Sequence, residues 1–322
     1  MKLIKTYNFY KKAKKIIPLG AQTFSKSSLV YPKKYFPLFS SKAKGCEIWD
    51  LDGNKYIDLI NGLLPVILGY QDSDVDKAIS AQLKKGITTS LSSELELKLS
   101  KILINCIPSA EMVRFAKNGA DATAACVRLA RAYTKKNVIL CCGYHGWHDW
   151  YIGTTSRSLG VPKNIRNLSI KIPYNDLVSL EKIIKKNQNK IAALIMEPVN
   201  FIHPKKNYLS NLKKILKKNK ILLIFDEVCT GFRMSLGGAQ EYFKIKPDLS
   251  AFGKAMGNGM PIAAVVGKKK IMNLCEKIFL SQTFSGETLS LAASIRTLQK
   301  IKSKKVIQKI WITGKQLKSF IE

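Results

Sequence analysis

Long apolar runs are absent from this chain. None approaches the roughly 20 residues a membrane-crossing helix needs, and Met1-Lys-Leu-Ile-Lys5 has no hydrophobic signal core ahead of a cleavage site. A cytoplasmic location with no membrane partner is therefore expected. Arginine is scarce too: it supplies seven of 54 basic residues, against 22 acidic ones and a net charge of +32. A reader of nucleic acid concentrates charge on one face and uses arginine on base edges. Here lysines are scattered in short runs such as Lys213-Lys214, Lys217-Lys218 and Lys268-Lys269-Lys270. No nucleic-acid partner is expected, although the field favours anionic substrates and cofactors. The seven cysteines are odd in number and lack paired metal-ligand spacing, which argues against a disulfide framework and for reduced thiols. Of three histidines, His145 and His148 stand near each other, but two ligands are too few for a metal, and none is expected.

What is present is enough apolar residue, 46% of 322 positions, to bury one large domain and a smaller one. After a basic helical start, Glu47 to Asp58 reads as two short strands around Asp52-Gly53-Asn54, a strong hairpin signal. Helical spacing follows from about 73 to 107. Beyond it, strand-length apolar runs (113–116, 138–142, 191–196, 221–226, 249–252 and 262–266) alternate with helical stretches such as 122–133 and 177–186. That alternation predicts an α/β fold, a doubly wound and mainly parallel sheet with helices on both faces, whose ligands gather at the carboxyl ends of the strands.

Several segments at those strand ends carry chemistry. Lys117-Asn-Gly-Ala-Asp-Ala122 opens a helix with small residues, where free backbone N–H groups and the helix dipole suit a phosphate; an ordinary capped turn is the alternative. Tyr144-His-Gly-Trp-His148 places a ring that could stack on a flat cofactor or simply pack on the surface. Asp226 ends an apolar run, so its charge needs a donor: several kcal/mol are lost without one, and a charge-assisted hydrogen bond returns about 1.5–3 kcal/mol. A helix cap or Arg233 could supply that donor, and so could a protonated pyridine nitrogen. Lys254 follows 28 residues later (254 − 226), enough for a crossover that brings the two strand ends together, with glycines at 253, 257 and 259 clearing space. An amine and an acid so placed are what pyridoxal phosphate requires. Gln282 to Ser290 is expected to open another helix whose hydroxyl-rich start could reach a phosphate.

In this order the segments resemble the class III aminotransferases of pyridoxal-phosphate fold type I, with the glutamate-1-semialdehyde aminomutase subgroup the nearest likeness. The resemblance runs from about Ile16 to Ile295 through Cys46-Glu-Ile-Trp-Asp-Leu-Asp-Gly-Asn54, Tyr144-His-Gly146, Met196-Glu-Pro198, Asp226-Glu-Val-Cys-Thr-Gly-Phe-Arg233, Gly237-Gly-Ala-Gln240 and Lys246-Pro-Asp248. It implies a seven-stranded sheet, pyridoxal 5'-phosphate as cofactor, Lys254 as the Schiff-base lysine and Asp226 as partner of the ring nitrogen. Val228 is implied beneath the ring and Tyr144 above it. Gly119 and Ala120 are implied at the phosphate, His145 and Glu197 among the cofactor contacts, and Thr283 at the phosphate of the other subunit of a homodimer. The implied domains are 1–72 (N-terminal part of a small domain), 73–295 (cofactor domain) and 296–322 (the start of a C-terminal small domain). Stopping at Glu322, the chain is expected to be a fragment or a truncated reading frame.

Departures from the family pattern shape the expected activity. Ala120 stands where a hydroxyl residue is usual, a loss of about 1 kcal/mol in cofactor binding. Lys26 stands where the aminomutase has an arginine for the substrate carboxylate, and lysine cannot form the bidentate pair. These changes favour transfer of an amino group from an amino-acid donor to a separate keto or aldehyde acceptor. The intramolecular aminomutase reaction, and a cofactor-binding protein without activity, are the alternatives.

Overall fold

The turn Asp52-Gly53-Asn54 organises the N-terminal part of the chain around one buried acid. Asp50 accepts hydrogen bonds from the backbone N–H of Asp52 and Asn54 (both 2.9 Å) and from Asn54 Nδ2 and Tyr56 OH (both 2.8 Å). Burial alone would raise its carboxyl; these donors hold it below the ordinary value. Gly53 takes φ 89°, which only glycine adopts without strain. The result is an antiparallel sheet in the order β1 (Ser40–Lys44), β2 (Glu47–Asp50), β3 (Lys55–Ile57), which bears out the hairpin and adds a strand to it. Asp52 also accepts the N–H of Lys5 (2.8 Å) and Thr6 (2.9 Å), capping helix α1 (Ile4–Ile16), whose own N-cap, Leu3, offers no side-chain acceptor.

The computed structural model describes residues 2–32 and 34–322, in two compact units, Met1–Ser73 and Asp74–Glu322. Within the first unit a pocket of about 360 Å³ is lined mainly by apolar groups together with Lys26, Asp50, Asp58 and Tyr70. In the second, the expected helical span 73–107 is two helices, α2 (Ser73–Leu83) and α3 (Glu94–Cys106). Gly86 at φ 98° breaks the first, and the second restarts at a capping box in which Ser93 N–H donates to Glu96 Oε1 at 3.0 Å.

The sheet of this unit has seven strands. They are β4 (Met112–Ala116), β5 (Val138–Cys142), β6 (Ser169–Lys171), β7 (Ile191–Met196), β8 (Leu222–Glu227), β9 (Leu249–Phe252) and β10 (Ala263–Gly267), in the order β4-β10-β9-β8-β7-β5-β6. β6 is the strand the apolar pattern passes over. β10 runs antiparallel to both neighbours, and the other pairs are parallel. Alternate residues feed two cores. Ile139, Cys141, Ala193 and Ile195 pack with Ala122, Cys126 and Leu129 of helix α4 (Gly119–Thr134). Leu140, Leu194 and Met196 pack with Leu212 and Leu216 on the other face. Burial on both faces is why these strands read as unbroken apolar runs. Among the described residues no helix is long and apolar enough to cross a membrane.

Leu194 is fully buried. Leu194→Ala should therefore lower stability by about 2–5 kcal/mol, read from the denaturant midpoint, whereas Val178→Ala on an exposed helical position should change it by under about 0.5 kcal/mol.

Candidate active site

The pairing of β8 with β9 fixes where the two chemistry-bearing strand ends lie. Asp226 is paired with Ala251 and Glu227 with Phe252, in parallel, so Asp226 and the segment leading to Lys254 leave the sheet at one edge. Asp226 is buried; its Oδ2 lies 2.8 Å from His145 Nδ1 and its Oδ1 accepts the N–H of Val228 at 3.1 Å. The structure thus supplies donors that the sequence pattern did not name, a histidine and the N–H of the following turn. Lys254, just past β9, has φ 44° in the left-handed region, a strained setting for a side chain of its size. Its Nζ lies 2.7 Å from Cys229 Sγ.

Glu197, at the end of β7, closes the group. It accepts the N–H of Tyr144 (3.0 Å) and Asn200 Nδ2 (2.7 Å). Burial raises its carboxyl, with the Tyr144 hydrogen bond and the charges of His145 and Lys254 pulling it down and that of Asp226 pushing it up. Cys229 likewise feels both Lys254 and Asp226. Asp226, Lys254, Glu197, Cys229 and His145 therefore share one locality at the strand ends.

The turn before α4 meets this group from the other side. Asn118 N–H donates to Asp121 Oδ2 at 2.9 Å, so the capped-turn reading holds, while Gly119 and Ala120 occupy the first helical turn, where N–H groups have no partner within the helix. A Cβ on Gly119 would lie 2.7 Å from Val228 Cγ1, which is why glycine stands there. Gly146, at φ 96°, would bring a Cβ 2.5 Å from that of Ala120. The α4 turn, Val228 and the 144–146 loop thus close on one another through missing side chains. Thr123 Oγ1 lies 2.8 Å from the carbonyl oxygen of His145, and Tyr151 OH donates to that of Gly143 at 2.8 Å, fastening the loop.

The two histidines go separate ways. His145 is buried behind Asp226 beside the rings of Trp150 and Tyr151, and its Nε2 has no hydrogen-bond partner, whereas His148 faces Asp121 at 3.4 Å. Tyr144 is 62% exposed, its ring edge-on to Tyr151. Lys26 belongs to the N-terminal unit and is exposed there.

The helix expected of Gln282 to Ser290 is present, beginning at Thr288 within that segment, and its N-terminus is capped by Glu287, which accepts Leu289 N–H at 2.6 Å and Ser290 N–H at 3.2 Å. Burial opposes the Glu287 charge, but Lys117 Nζ, 2.7 Å away, and Ser290 hold the carboxyl below its ordinary value. The N–H groups of Leu289 and Ser290 at that terminus are thus already paired with a carboxylate. Thr283 lies five residues earlier (288 − 283), exposed in a turn. The pattern alone also left Cys229, Thr123 and the Lys117–Glu287 pair unnoticed.

Over residues 30–322 the chain matches the aminotransferase class-III family, and it belongs to that family. It is 37% identical to the 3-aminobutyryl-CoA aminotransferase of Cloacimonas acidaminovorans (strain Evry), across 100% of this chain and 79% of that one. It is 41% identical to the glutamate-1-semialdehyde 2,1-aminomutase of Methanobrevibacter smithii, across 91% and 72%. Among solved structures it superposes on the PLP internal aldimine form of the Sphingopyxis sp. MTA144 FumI protein with a TM-score of 0.87 at 31% identity, covering 92% of this chain and 72% of that one. With an omega-transaminase from Sphaerobacter thermophilus the TM-score is 0.84 at 27% identity, again covering 92% and 72%.

The residues fit the family's cofactor. Each oxygen of buried Asp226 has one partner and can accept another hydrogen bond, and the first-turn amides of α4 stand beside Val228 with side-chain bulk removed. Because the Glu197 carboxyl is raised on folding, its contribution to stability is complete below the ordinary 4.5 and is lost as pH climbs through the higher folded value. Glu197→Gln, which keeps an acceptor for Tyr144, should flatten the stability–pH curve above pH 4.5 in denaturant titrations.

Proposed function

We propose that the chain moves an amino group from an amino-acid donor to a separate keto or aldehyde acceptor, with pyridoxal 5'-phosphate held at the edge where β8 and β9 end. The reading rests above all on the parallel register that delivers a buried acid and a lysine to one place. When bound, the cofactor supplies a carbonyl that combines with amines and a ring that takes up the electrons left when a substrate C–H bond breaks. Lys254 Nζ would hold the cofactor carbonyl and, as a free amine, would carry the proton to and from the substrate. Asp226 would hold the proton on the ring nitrogen, with His145, 2.8 Å from Oδ2, supporting the carboxylate. Val228 and Tyr144 would hold the ring between them, and Gly119 and Ala120 would bind the phosphate through their N–H groups. Glu197 orients the Tyr144 loop. Lys26 serves the substrate carboxylate and Thr283 the phosphate of the other subunit.

The same reading takes the working unit to be a cytoplasmic homodimer acting on small molecules, not on nucleic acid or a membrane. Residues 73–295 are its cofactor domain, with 1–72 and 296–322 contributing to a small domain. A second reading, the intramolecular aminomutase, is carried by the name of the Methanobrevibacter smithii relative. Lysine at position 26 favours transfer between two molecules, because its single charge cannot clamp a carboxylate in two-point fashion.

Pyridoxal phosphate added to the purified protein should become borohydride-fixed to the peptide containing Lys254. Lys254→Ala should abolish that fixation and transamination, and Asp226→Asn should lower the rate by roughly 10²–10⁴ with fixation retained. Fixation elsewhere would overturn the assignment. Aminolevulinate formed from glutamate semialdehyde without a second substrate would establish the aminomutase instead.

A further inference from the structure

Cys229 has no part in the reaction above, yet its thiol is the neighbour of the lysine on which that reaction depends. Cys229 and Lys254 each lie two residues past the last β8–β9 pair, Glu227 with Phe252 (229 − 227 and 254 − 252), so the strand register sets them side by side. Both are half-buried, and Nζ stands 2.7 Å from Sγ, with no side chain to move before the two can react. We propose that this pair is an oxidative modification site, at which a peroxide couples Cys229 Sγ to Lys254 Nζ and so withdraws the amine.

The chemistry balances with hydrogen peroxide as the oxidant. The thiol sulfur attacks one peroxide oxygen, the O–O bond breaks, and sulfenic acid and one water form; sulfur is oxidised and peroxide reduced. The Nζ lone pair then attacks sulfur, the S–O bond breaks, and the hydroxyl leaves as water with a proton from nitrogen. A sulfur–nitrogen bond remains and the pair has lost two hydrogen atoms. A thiol reductant reverses it by attacking sulfur, which returns the free amine and leaves a mixed disulfide that a second thiol opens. Burial pushes the Cys229 thiol up, with Lys254 the strongest influence in the other direction. The amine thus serves first as acceptor of the thiol proton, passes it to the hydroxide released from peroxide to form the first water, and is then free to act as nucleophile. Cys126 and Cys142 differ in being buried in the two cores, with thiols raised by burial. The functional consequence, loss of cofactor attachment, rests on the proposed role of Lys254; the bond itself does not.

The test treats the purified protein with hydrogen peroxide, with and without added pyridoxal phosphate, and maps peptides by mass. The expected product joins the peptides containing Cys229 and Lys254, lighter than their sum by two hydrogen atoms, and disappears with dithiothreitol. Added pyridoxal phosphate should lower its yield. Cys229→Ser should lose the link and keep cofactor absorbance after peroxide, and Lys254→Arg should lose the link while Cys229 still oxidises, which guards against a misfolded serine variant. Oxidation of Cys229 to sulfinic acid with no linked peptide would overturn the proposal. If the link forms but pyridoxal phosphate never attaches to Lys254 in reduced protein, the modification site stands and the functional reading fails.

Discussion

Every feature of the site depends on the parallel pairing of β8 with β9. Lys254 and Asp226 are separated by 28 residues of chain, and no local propensity could bring them together. The ladder does so, because pairing Asp226 with Ala251 and Glu227 with Phe252 leaves no freedom in where the following residues leave the sheet. A slip of one residue would turn every side chain of β9 to the opposite core. The register is held by the burial of both faces, through Ile224 and Ala251 on one side and Phe225 on the other.

Charge placement follows from the same geometry. Asp226 and Glu227 are adjacent buried acids, and alternation sends them to different tasks. Glu227 turns to the 237–240 segment and accepts the N–H of Ala239 (2.7 Å) and Gln240 (2.8 Å), a structural role in which burial raises its carboxyl. Asp226 turns to His145, with acceptor capacity left on each oxygen. Glycine does similar work by subtraction: a Cβ at Gly238 would lie 2.5 Å from Glu227 Oε2, as one at Gly119 would strike Val228.

Much of this was legible in the residues. The six apolar runs each became strands, five of them because burial on both faces demands apolar residues at nearly every position, and Asp52-Gly53-Asn54 announced its hairpin through turn chemistry. β6, only three residues long at the sheet edge, lacks the double-sided burial that makes such a run. The break between α2 and α3 was hidden because apolar spacing continues across it, while Gly86 and the Ser93–Glu96 box decide it. The helix opened by the 282–290 segment was legible, but not its cap, because the ion pair of Glu287 with Lys117 joins residues far apart in the chain. The Cys229–Lys254 contact could not be read from spacing alone, since it appears only when the β8 and β9 ends are counted from their shared register.

The decisive measurement is a crystal structure of the protein grown with pyridoxal phosphate. Continuous density from Lys254 Nζ to the cofactor, with the ring nitrogen within hydrogen-bond distance of the Asp226 carboxylate and the phosphate at the Gly119–Ala120 amides, is the expected result. Cofactor density joined to another lysine, or a ring nitrogen turned away from Asp226, would contradict it.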